Sequence, residues 1–296
     1  MHLDMPCSDG DNFQWALCDP QALVQLCLRE SVALQDWFEE AWLRQPATQS
    51  EPWHVLIGFD ECTPGNKLAL RNERKCMVLN FTFREFGNHL SKNCSWLTPI
   101  VVRTSAISLV AGGRSAMLRK YLHLHLFGEK GQQTNGWDLS WHGLSRRVFA
   151  KVPNILADGD GLRMCLQWGG QGCLKPCWRH WDVMKLGSGR AGHAPDGDHV
   201  EISCDEPHRH QLWGEAALRD AIDTILLVRD AVQRDEMPNA RLLEVQQGFG
   251  FSATREGLLA DATLYRALQH YRRCAMIGCT ASWLMNHFCK RLGHRC

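Results

Sequence analysis

Two aspartates at the ends of apolar segments are the residues of this sequence best suited to metal-dependent chemistry. Asp60 ends the apolar run 53–60, and Asp158 ends the run 148–158, with Asp160 two residues further on. Carboxylate oxygens at the tips of neighbouring strands can converge on hard cations such as Mg²⁺ or Mn²⁺. Such cations activate water and stabilise the leaving oxygen in phosphoryl transfer. We therefore predict that all three aspartates are catalytic candidates and that Asp60 and Asp158 bind the metal.

A structural role would also account for these aspartates. Asp commonly follows a strand, because its side chain bonds nearby backbone groups in a turn. The segment 158–161, Asp-Gly-Asp-Gly, has the composition of such a turn. Glu61 is a further acid at the first tip, but alternate strand residues face opposite ways, so Asp60 and Glu61 cannot both point to one site. The sequence leaves both readings open.

Cysteines and histidines between residues 168 and 214 form a second set of candidate ligands. Cys177 and His180 are separated by two residues, and Cys204 and His208 by three. Structural zinc takes four Cys or His ligands, typically as a close first pair and a distant second pair. We predict that these four residues hold a structural Zn²⁺. The alternative is that they are buried thiols, which behave as small hydrophobes, and surface histidines.

A sheet with flanking helices must hold the two aspartates in place. Runs rich in β-branched and aromatic residues predict strands over 53–60, 76–83, 97–104 and 148–157. Apolar residues on one face predict a helix over 115–127, which Gly128 would end. Short links between the first three strands favour antiparallel neighbours.

The remaining periodicity is mostly helical. It predicts a helix over 14–45, with Asp19 as N-cap and Pro20 in the first turn, and a helix over 215–234 that Pro238 ends. Further helices are predicted over 162–167, 258–270 and 280–292, and one strand over 200–204. The polar segment 130–143 is predicted to be a loop. We therefore expect four regions: an N-terminal helical region (1–52), a mixed α/β core (53–167), a Cys/His/Gly-rich insertion (168–214) and a C-terminal helical region (215–296) whose abrupt end suggests truncation.

Composition excludes several classes of protein. The net charge of +1 gives no global field that would attract nucleic acid. The sequence lacks the long apolar run of a membrane-spanning helix and the basic start of a secretory signal. Fourteen cysteines in 296 residues do not suggest a small disulfide scaffold. We expect a protein of the nucleus or the cytoplasm that has no membrane contact.

Local basic groups and tryptophans could contact DNA. The basic residues are Arg71, Arg74, Lys75, Arg114, Arg119, Lys120, Arg146 and Arg147, and the tryptophans are Trp168, Trp178 and Trp181. Lys and Arg bind phosphates in a salt-dependent way, and aromatic rings stack on bases. The alternatives are a solvated, charge-balanced surface and tryptophans that belong to the core.

Three stretches resemble transposases of eukaryotic cut-and-paste elements, chiefly the CACTA and Plavaka-like groups. They are Leu-Ile-Gly-Phe-Asp at 56–60, Leu-Ala-Asp-Gly-Asp at 156–160 and Gly-Gly-Gln-Gly-Cys-Leu-Lys-Pro-Cys-Trp-Arg-His at 169–180. His180 stands where that family usually has its second cysteine. The resemblance covers roughly 53–183 of the sequence. The chain also resembles multicopy uncharacterised proteins of dinoflagellates, which fits descent from a mobile element.

The resemblance implies a ribonuclease H-like fold, in which the first and fourth strands lie side by side. It makes Asp60 the first catalytic acid and Asp158 the second, in Mg²⁺- or Mn²⁺-dependent cleavage or transfer of DNA strands. A third acid should follow on a later helix, where Glu215, Glu244 and Glu256 lack the expected neighbouring motif. The alternative is a non-catalytic zinc-containing module that binds nucleic acid or protein.

Overall fold

The chain is a mixed α/β protein in which contacts group the residues into two compact units. The computed structural model describes residues 1–62, 75–170, 173–175, 177, 180–181, 183–184, 200–201 and 211–264. The first unit comprises the described residues of Met1–Gly113 and Lys120–Asp158, and the second comprises Arg114–Arg119 and the described residues of 159–264. The sequence-based expectation of an α/β fold with a mixed sheet is confirmed.

The first unit begins with a hairpin of two strands followed by two helices. The strands β1 (His2–Pro6) and β2 (Asn12–Ala16) pair antiparallel, and the helices are α1 (Pro20–Glu30) and α2 (Val32–Arg44). As predicted, Asp19 caps α1, because its Oδ1 accepts a hydrogen bond from the Ala22 amide at 2.9 Å.

The prediction of one helix over 14–45 is wrong at two points. Strand β2 occupies its start, and Ser31 separates α1 from α2 with extended backbone dihedrals. Ser31 Oγ accepts a hydrogen bond from the Leu34 amide at 3.2 Å. A serine in this position satisfies an amide that has no partner within the helix, so it begins a new helix instead of continuing the old one.

A four-stranded mixed sheet forms the centre of the first unit. Its strands are β3 (Trp53–Cys62), β4 (Cys76–Phe83), β5 (Leu97–Arg103) and β8 (Ala150–Leu156), in the spatial order β5-β4-β3-β8. The pairs β3/β4 and β4/β5 are antiparallel, whereas β8 runs parallel to β3. Two short 3₁₀ helices, Arg84–Ser91 and Asn93–Ser95, connect β4 to β5. Each of the four predicted strands is therefore present in one sheet.

Alternating burial along β3 decides which side chains face the core. Trp53, Val55, Ile57 and Phe59 are buried, whereas Asp60 is exposed on the opposite face. On the buried face, Trp53 joins an aromatic cluster whose other rings come from α2, β4, the 3₁₀ helix Arg84–Ser91 and the later strand Trp137–Trp141. Neighbouring ring centroids are 5.2 to 6.4 Å apart; the members are Phe38, Trp42, Trp53, Phe83, Phe86 and Trp141. Tilted and edge-to-face contacts at this spacing add to the stabilisation from burial.

The connection from β5 to β8 contains helices and a second hairpin. In chain order it consists of α3 (Thr104–Ile107), α4 (Gly113–Leu122), a π-helical turn (His123–Phe127), β6 (Trp137–Trp141) and β7 (Leu144–Val148). The predicted helix over 115–127 is confirmed, with its last turn widened, and Gly128 follows it as expected. The prediction of a loop over 130–143 is wrong, because β6 occupies its second half.

The second unit is built mainly from two helices. Its elements are α5 (Gly159–Cys165), the short parallel pair β9 (Val183–Met184) and β10 (Val200–Glu201), α6 (Glu215–Gln233), α7 (Asn239–Phe249) and a 3₁₀ turn (Leu258–Ala260). Helix α6 packs against α7 around a core that contains Trp168, Trp181, Trp213, Ile222, Ile225, Val245, Phe251 and Leu259. Within the described residues, no helix combines the length and the apolar composition needed to cross a membrane.

Candidate functional site

The strand register brings Asp60 and Asp158 to the same level of the sheet. Gly58 of β3 is paired with Leu156 of β8, and the two strands are parallel. Asp60 and Asp158 each follow their member of this pair by two residues, so both lie where the carboxyl ends of neighbouring strands meet. Both side chains belong to exposed residues. Asp60 and Asp158 therefore lie near the carboxyl ends of two neighbouring parallel strands, and their role in metal binding stays a prediction.

Local contacts orient the end of β3. Asp60 Oδ1 accepts a hydrogen bond from the amide of Glu61 at 2.7 Å, which is also a bond that a turn aspartate makes. Glu61 points to the other face of the strand, where its Oε2 lies 3.4 Å from Lys75 Nζ. The prediction that Asp60 and Glu61 do not share one face therefore agrees with their contacts.

The face of the sheet below Asp60 is closed by a tryptophan. Gly58 lies two residues before Asp60 on the same face, and a Cβ added there would lie 3.6 Å from Cζ3 of Trp96. The Trp96 ring is held from its other side, because its Nε1 donates to the Leu90 carbonyl at 3.1 Å. An aromatic ring therefore covers this face of β3 at Gly58, two residues before the exposed Asp60.

Asp160, the third predicted catalytic residue, belongs to the second unit. It lies in the first turn of α5, where its Oδ1 accepts a hydrogen bond from Nε of Arg163 at 3.2 Å. An acid in the first turn and a base three residues later are both favourable positions on a helix. These contacts explain Asp160 as a helix-stabilising residue, and its catalytic role stays a prediction.

Cys177 and His180, the first predicted zinc pair, lie in contact. Cys177 Sγ is 3.1 Å from Nδ1 of His180. The Sγ of a third thiol, Cys173, lies within hydrogen-bonding distance of the carbonyl oxygens of Gly170 and Lys175, at 2.9 and 2.8 Å. The second predicted pair, Cys204 and His208, lies outside the described residues. Of the basic and aromatic candidates, Arg71, Arg74 and Trp178 also lie outside them.

The described residues contain no group of three or more His, Cys, Asp or Glu side chains arranged to hold a metal ion. A pair of carboxylates can still bind Mg²⁺ or Mn²⁺, because these ions usually keep several waters and use one or two protein carboxylates together with substrate phosphate oxygens. Neither a family model nor a curated protein matches the chain at a significant level. Any functional assignment therefore depends on the geometry of these residues.

Two opposed thiols near the end of β3 are not evident from the sequence. Cys62 and Cys76 are direct partners in the β3/β4 register. Burial raises the pKa of the Cys62 thiol, and the neighbouring Cys76 and Asp60 raise it further. Pairing of 62 with 76 requires knowledge of the register, which a cysteine count does not supply.

Proposed function

We propose that this chain is a transposase-derived protein with a ribonuclease H-like core, in which Asp60 and Asp158 bind a divalent cation for cleavage or transfer of DNA strands. The sheet order supports the fold. The first three strands of the core are antiparallel neighbours, and the fourth, β8, joins the sheet beside the first, β3, in parallel. A ribonuclease H-like core has this order.

The observation that carries the proposal is the register of β3 and β8. Two acids from distant parts of the sequence lie at equal offsets beyond the paired residues Gly58 and Leu156. Such a placement at the ends of neighbouring parallel strands is one from which two carboxylates could reach a shared cation. Carboxylates are also the ligands that suit Mg²⁺ and Mn²⁺, and thiolates are not.

Each aspartate would act through its carboxylate oxygens. A bound cation would supply Lewis-acid stabilisation of charge on a phosphate oxygen and a lowered pKa for its bound water. Asp60 and Asp158 would hold the cation at the ends of β3 and β8. The third acid that this chemistry usually employs has no assigned residue among Glu215, Glu244 and Glu256.

Binding of Mn²⁺ measured by calorimetry tests the proposal. We expect the unmodified chain to bind Mn²⁺ and both Asp60→Asn and Asp158→Asn to lose that binding, because each variant removes one of the two proposed carboxylate ligands. Asp9→Asn is the control, because Asp9 is an exposed aspartate outside the proposed site; its Oδ1 accepts a hydrogen bond from the Asp11 amide at 3.1 Å in a turn.

Three outcomes of the Mn²⁺ measurement distinguish a shared metal site from two separate aspartates. Loss of binding in both variants, with binding retained in Asp9→Asn, supports a shared site and justifies assays of DNA cleavage. Unchanged binding in either variant removes that aspartate from the site. If the unmodified chain binds no Mn²⁺ at millimolar concentration, both aspartates are turn residues.

The contact between Cys177 and His180 favours a second candidate function, a zinc-containing binding module without catalysis. A separation of 3.1 Å between Sγ and Nδ1 is a distance at which both atoms can turn toward one ion. Native mass spectrometry should then detect one zinc per chain, lost in Cys177→Ser but kept in Cys94→Ser, which changes an exposed thiol elsewhere. Zinc retained in Cys177→Ser would contradict this candidate.

A further inference from the structure

Two thiols face each other across the first two strands of the sheet. Cys62 and Cys76 are the last registered pair of β3 and β4, and directly opposed residues of antiparallel strands place their side chains on the same face. Cys62 is exposed and Cys76 is buried. Cys62 lies two residues after Asp60 on β3, and Cys76 is the first residue of β4.

The strand geometry permits a bond between them. Opposed residues of antiparallel strands have Cα atoms about 4.5 or 5.5 Å apart, depending on the hydrogen-bonding pattern. Both values lie within the range of about 4.4–6.8 Å that disulfides span. The Cβ atoms of such a pair are about 4.5–5.5 Å apart, somewhat more than the roughly 3.8 Å of a relaxed disulfide. The strands must therefore move together slightly, and the resulting bond is strained and easily reduced.

We propose that Cys62 and Cys76 are a reversible modification site, oxidised to a cross-strand disulfide by low-molecular-weight disulfides such as glutathione disulfide. The proposal does not depend on metal binding at Asp60 and Asp158. The comparison thiol is Cys94, which is exposed and lies in the 3₁₀ helix Asn93–Ser95; we expect it to retain the glutathione that it accepts.

The exchange proceeds in two balanced steps. The Cys62 thiolate attacks one sulfur of glutathione disulfide, forms a mixed disulfide and releases one glutathione thiolate. The Cys76 thiolate then attacks the Cys62 sulfur, forms the Cys62–Cys76 bond and releases the second glutathione. In total two protein thiols are oxidised, one glutathione disulfide is reduced to two glutathione molecules, and the two thiol protons remain on these. Cys62 is the thiol that reacts first with glutathione disulfide, because it is exposed and Cys76 is buried.

Peptide mass spectrometry of the full chain tests the proposal. Glutathione disulfide is raised until Cys94 carries glutathione, remaining thiols are alkylated, and the protein is digested with trypsin. Lys67, Arg71, Arg74 and Lys75 separate the two cysteines in the sequence, so a bond between them joins two different peptides. We expect a joined peptide that is two hydrogen atoms lighter than its parts and that dithiothreitol separates.

Two variants assign the roles of the thiols. In Cys76→Ser we expect Cys62 to retain glutathione, because the resolving thiol is gone. In Cys62→Ser we expect neither the joined peptide nor modification of Cys76. The proposal is overturned if the unmodified chain shows no joined peptide when Cys94 is fully glutathionylated, or if Cys62 there retains glutathione while Cys76 is alkylated.

Discussion

His125 is a buried titratable residue whose surroundings require it to stay neutral. Its ring stacks on Trp137 and meets the edge of Phe81, with centroids 4.7 Å away in both cases. Its Nδ1 lies 2.7 Å from the hydroxyl of Tyr121, one helical turn earlier. Burial lowers the pKa of His125 from 6.5 to about 3. The protonated form is disfavoured because its charge would lose hydration without gaining a counter-charge.

This shift makes stability depend on pH in acid solution. The unfolded chain binds a proton at His125 below about pH 6.5, whereas the folded chain binds it only near pH 3. The contribution of neutral His125 to the free energy of unfolding is therefore fully present above pH 6.5. It decreases by up to about 1.4 kcal/mol per pH unit as the pH falls toward 3. Chemical denaturation at a series of pH values should show this loss.

Replacing His125 by glutamine separates its contribution from that of the carboxylates. We expect His125→Gln to be less stable than the unmodified chain at pH 7 by about 1–3 kcal/mol, since a buried stacked ring is lost. Its stability should nevertheless fall less steeply between pH 6.5 and 4. His2→Gln, which changes an exposed histidine, should retain the full slope. Equal slopes in all three proteins would mean that His125 titrates normally.

At the scale of residues, the positions of Asp60 and Asp158 at the ends of apolar runs could be predicted from the sequence, whereas the pairing of two thiols across strands could not. Asp60 and Asp158 follow apolar runs whose ends can be read directly, and the first run ends within the observed β3. Cys62 and Cys76 also lie at strand ends, but their opposition follows from pairing between strands separated by residues 63–75. Strand pairing depends on long-range packing of the buried face, which a local pattern does not specify.

At the scale of elements, segments with a continuous or periodic apolar pattern were predicted well. Strand β4 has the predicted bounds, and α6 differs from its prediction by one residue at its end. The hairpin of β6 and β7 was missed. Its two-residue turn, His142 and Gly143, has positive φ values of 47° and 76°, which a histidine adopts less readily than the usual asparagine. The buried Trp137, Leu139 and Trp141 alternate as a strand should, and this was the available signal.

Arg146 connects that hairpin to α2. It donates to both carboxylate oxygens of Glu39, and its guanidinium carbon lies 4.6 Å from the ring centre of Trp141 and 5.4 Å from that of Trp42. Hydrogen bonding to Arg146 is also the main reason that the pKa of Glu39 is lowered. A planar guanidinium can make the paired bonds and the stacking at once, whereas an ammonium cannot.

We expect Arg146→Lys to destabilise the chain by about 1–2 kcal/mol, because it loses both the paired hydrogen bonds and the ring contacts. Arg147→Lys is the control: Arg147 also pairs with a carboxylate, that of Asp138, but both side chains are more than half exposed. Its cost should be clearly smaller than that of Arg146→Lys, because ion pairs between exposed side chains contribute little to stability. Urea denaturation of the two variants compares them directly, and equal costs would assign Arg146 no special role.

The thiol pair gives a second expectation at the scale of elements. A bond between Cys62 and Cys76 would close a loop of 15 residues, for which loss of unfolded-chain entropy stabilises by up to about 3 kcal/mol. Strain between the opposed strands should reduce this gain. We expect the oxidised chain to unfold at a higher urea concentration than the reduced chain. Cys76→Ser treated with glutathione disulfide should show no such increase, since it cannot close the loop.

At the scale of the whole molecule, charge is balanced both in total and locally. The sequence has 33 basic and 32 acidic residues. Among the described residues, many arginines lie within ion-pair distance of a carboxylate; examples are Arg29 with Glu30, Arg119 with Asp261, Arg147 with Asp138, Arg219 with Asp223, and Arg255 with Asp230. Such pairing leaves fewer positive groups to attract phosphates from a distance.

This balance sets an expectation for DNA binding under the proposed function. Each phosphate contact contributes about 0.9 to the slope of log affinity against log salt concentration, and proteins with extended basic surfaces reach slopes near 10. We expect a slope of no more than about 4 for a short random duplex, measured by fluorescence anisotropy without divalent cations. A steeper slope would require a continuous basic surface, which the arginine pairs named above do not provide. A shallow slope together with Mn²⁺-dependent tightening would instead place the main attraction at the two aspartates, where a bound cation bridges carboxylate and phosphate.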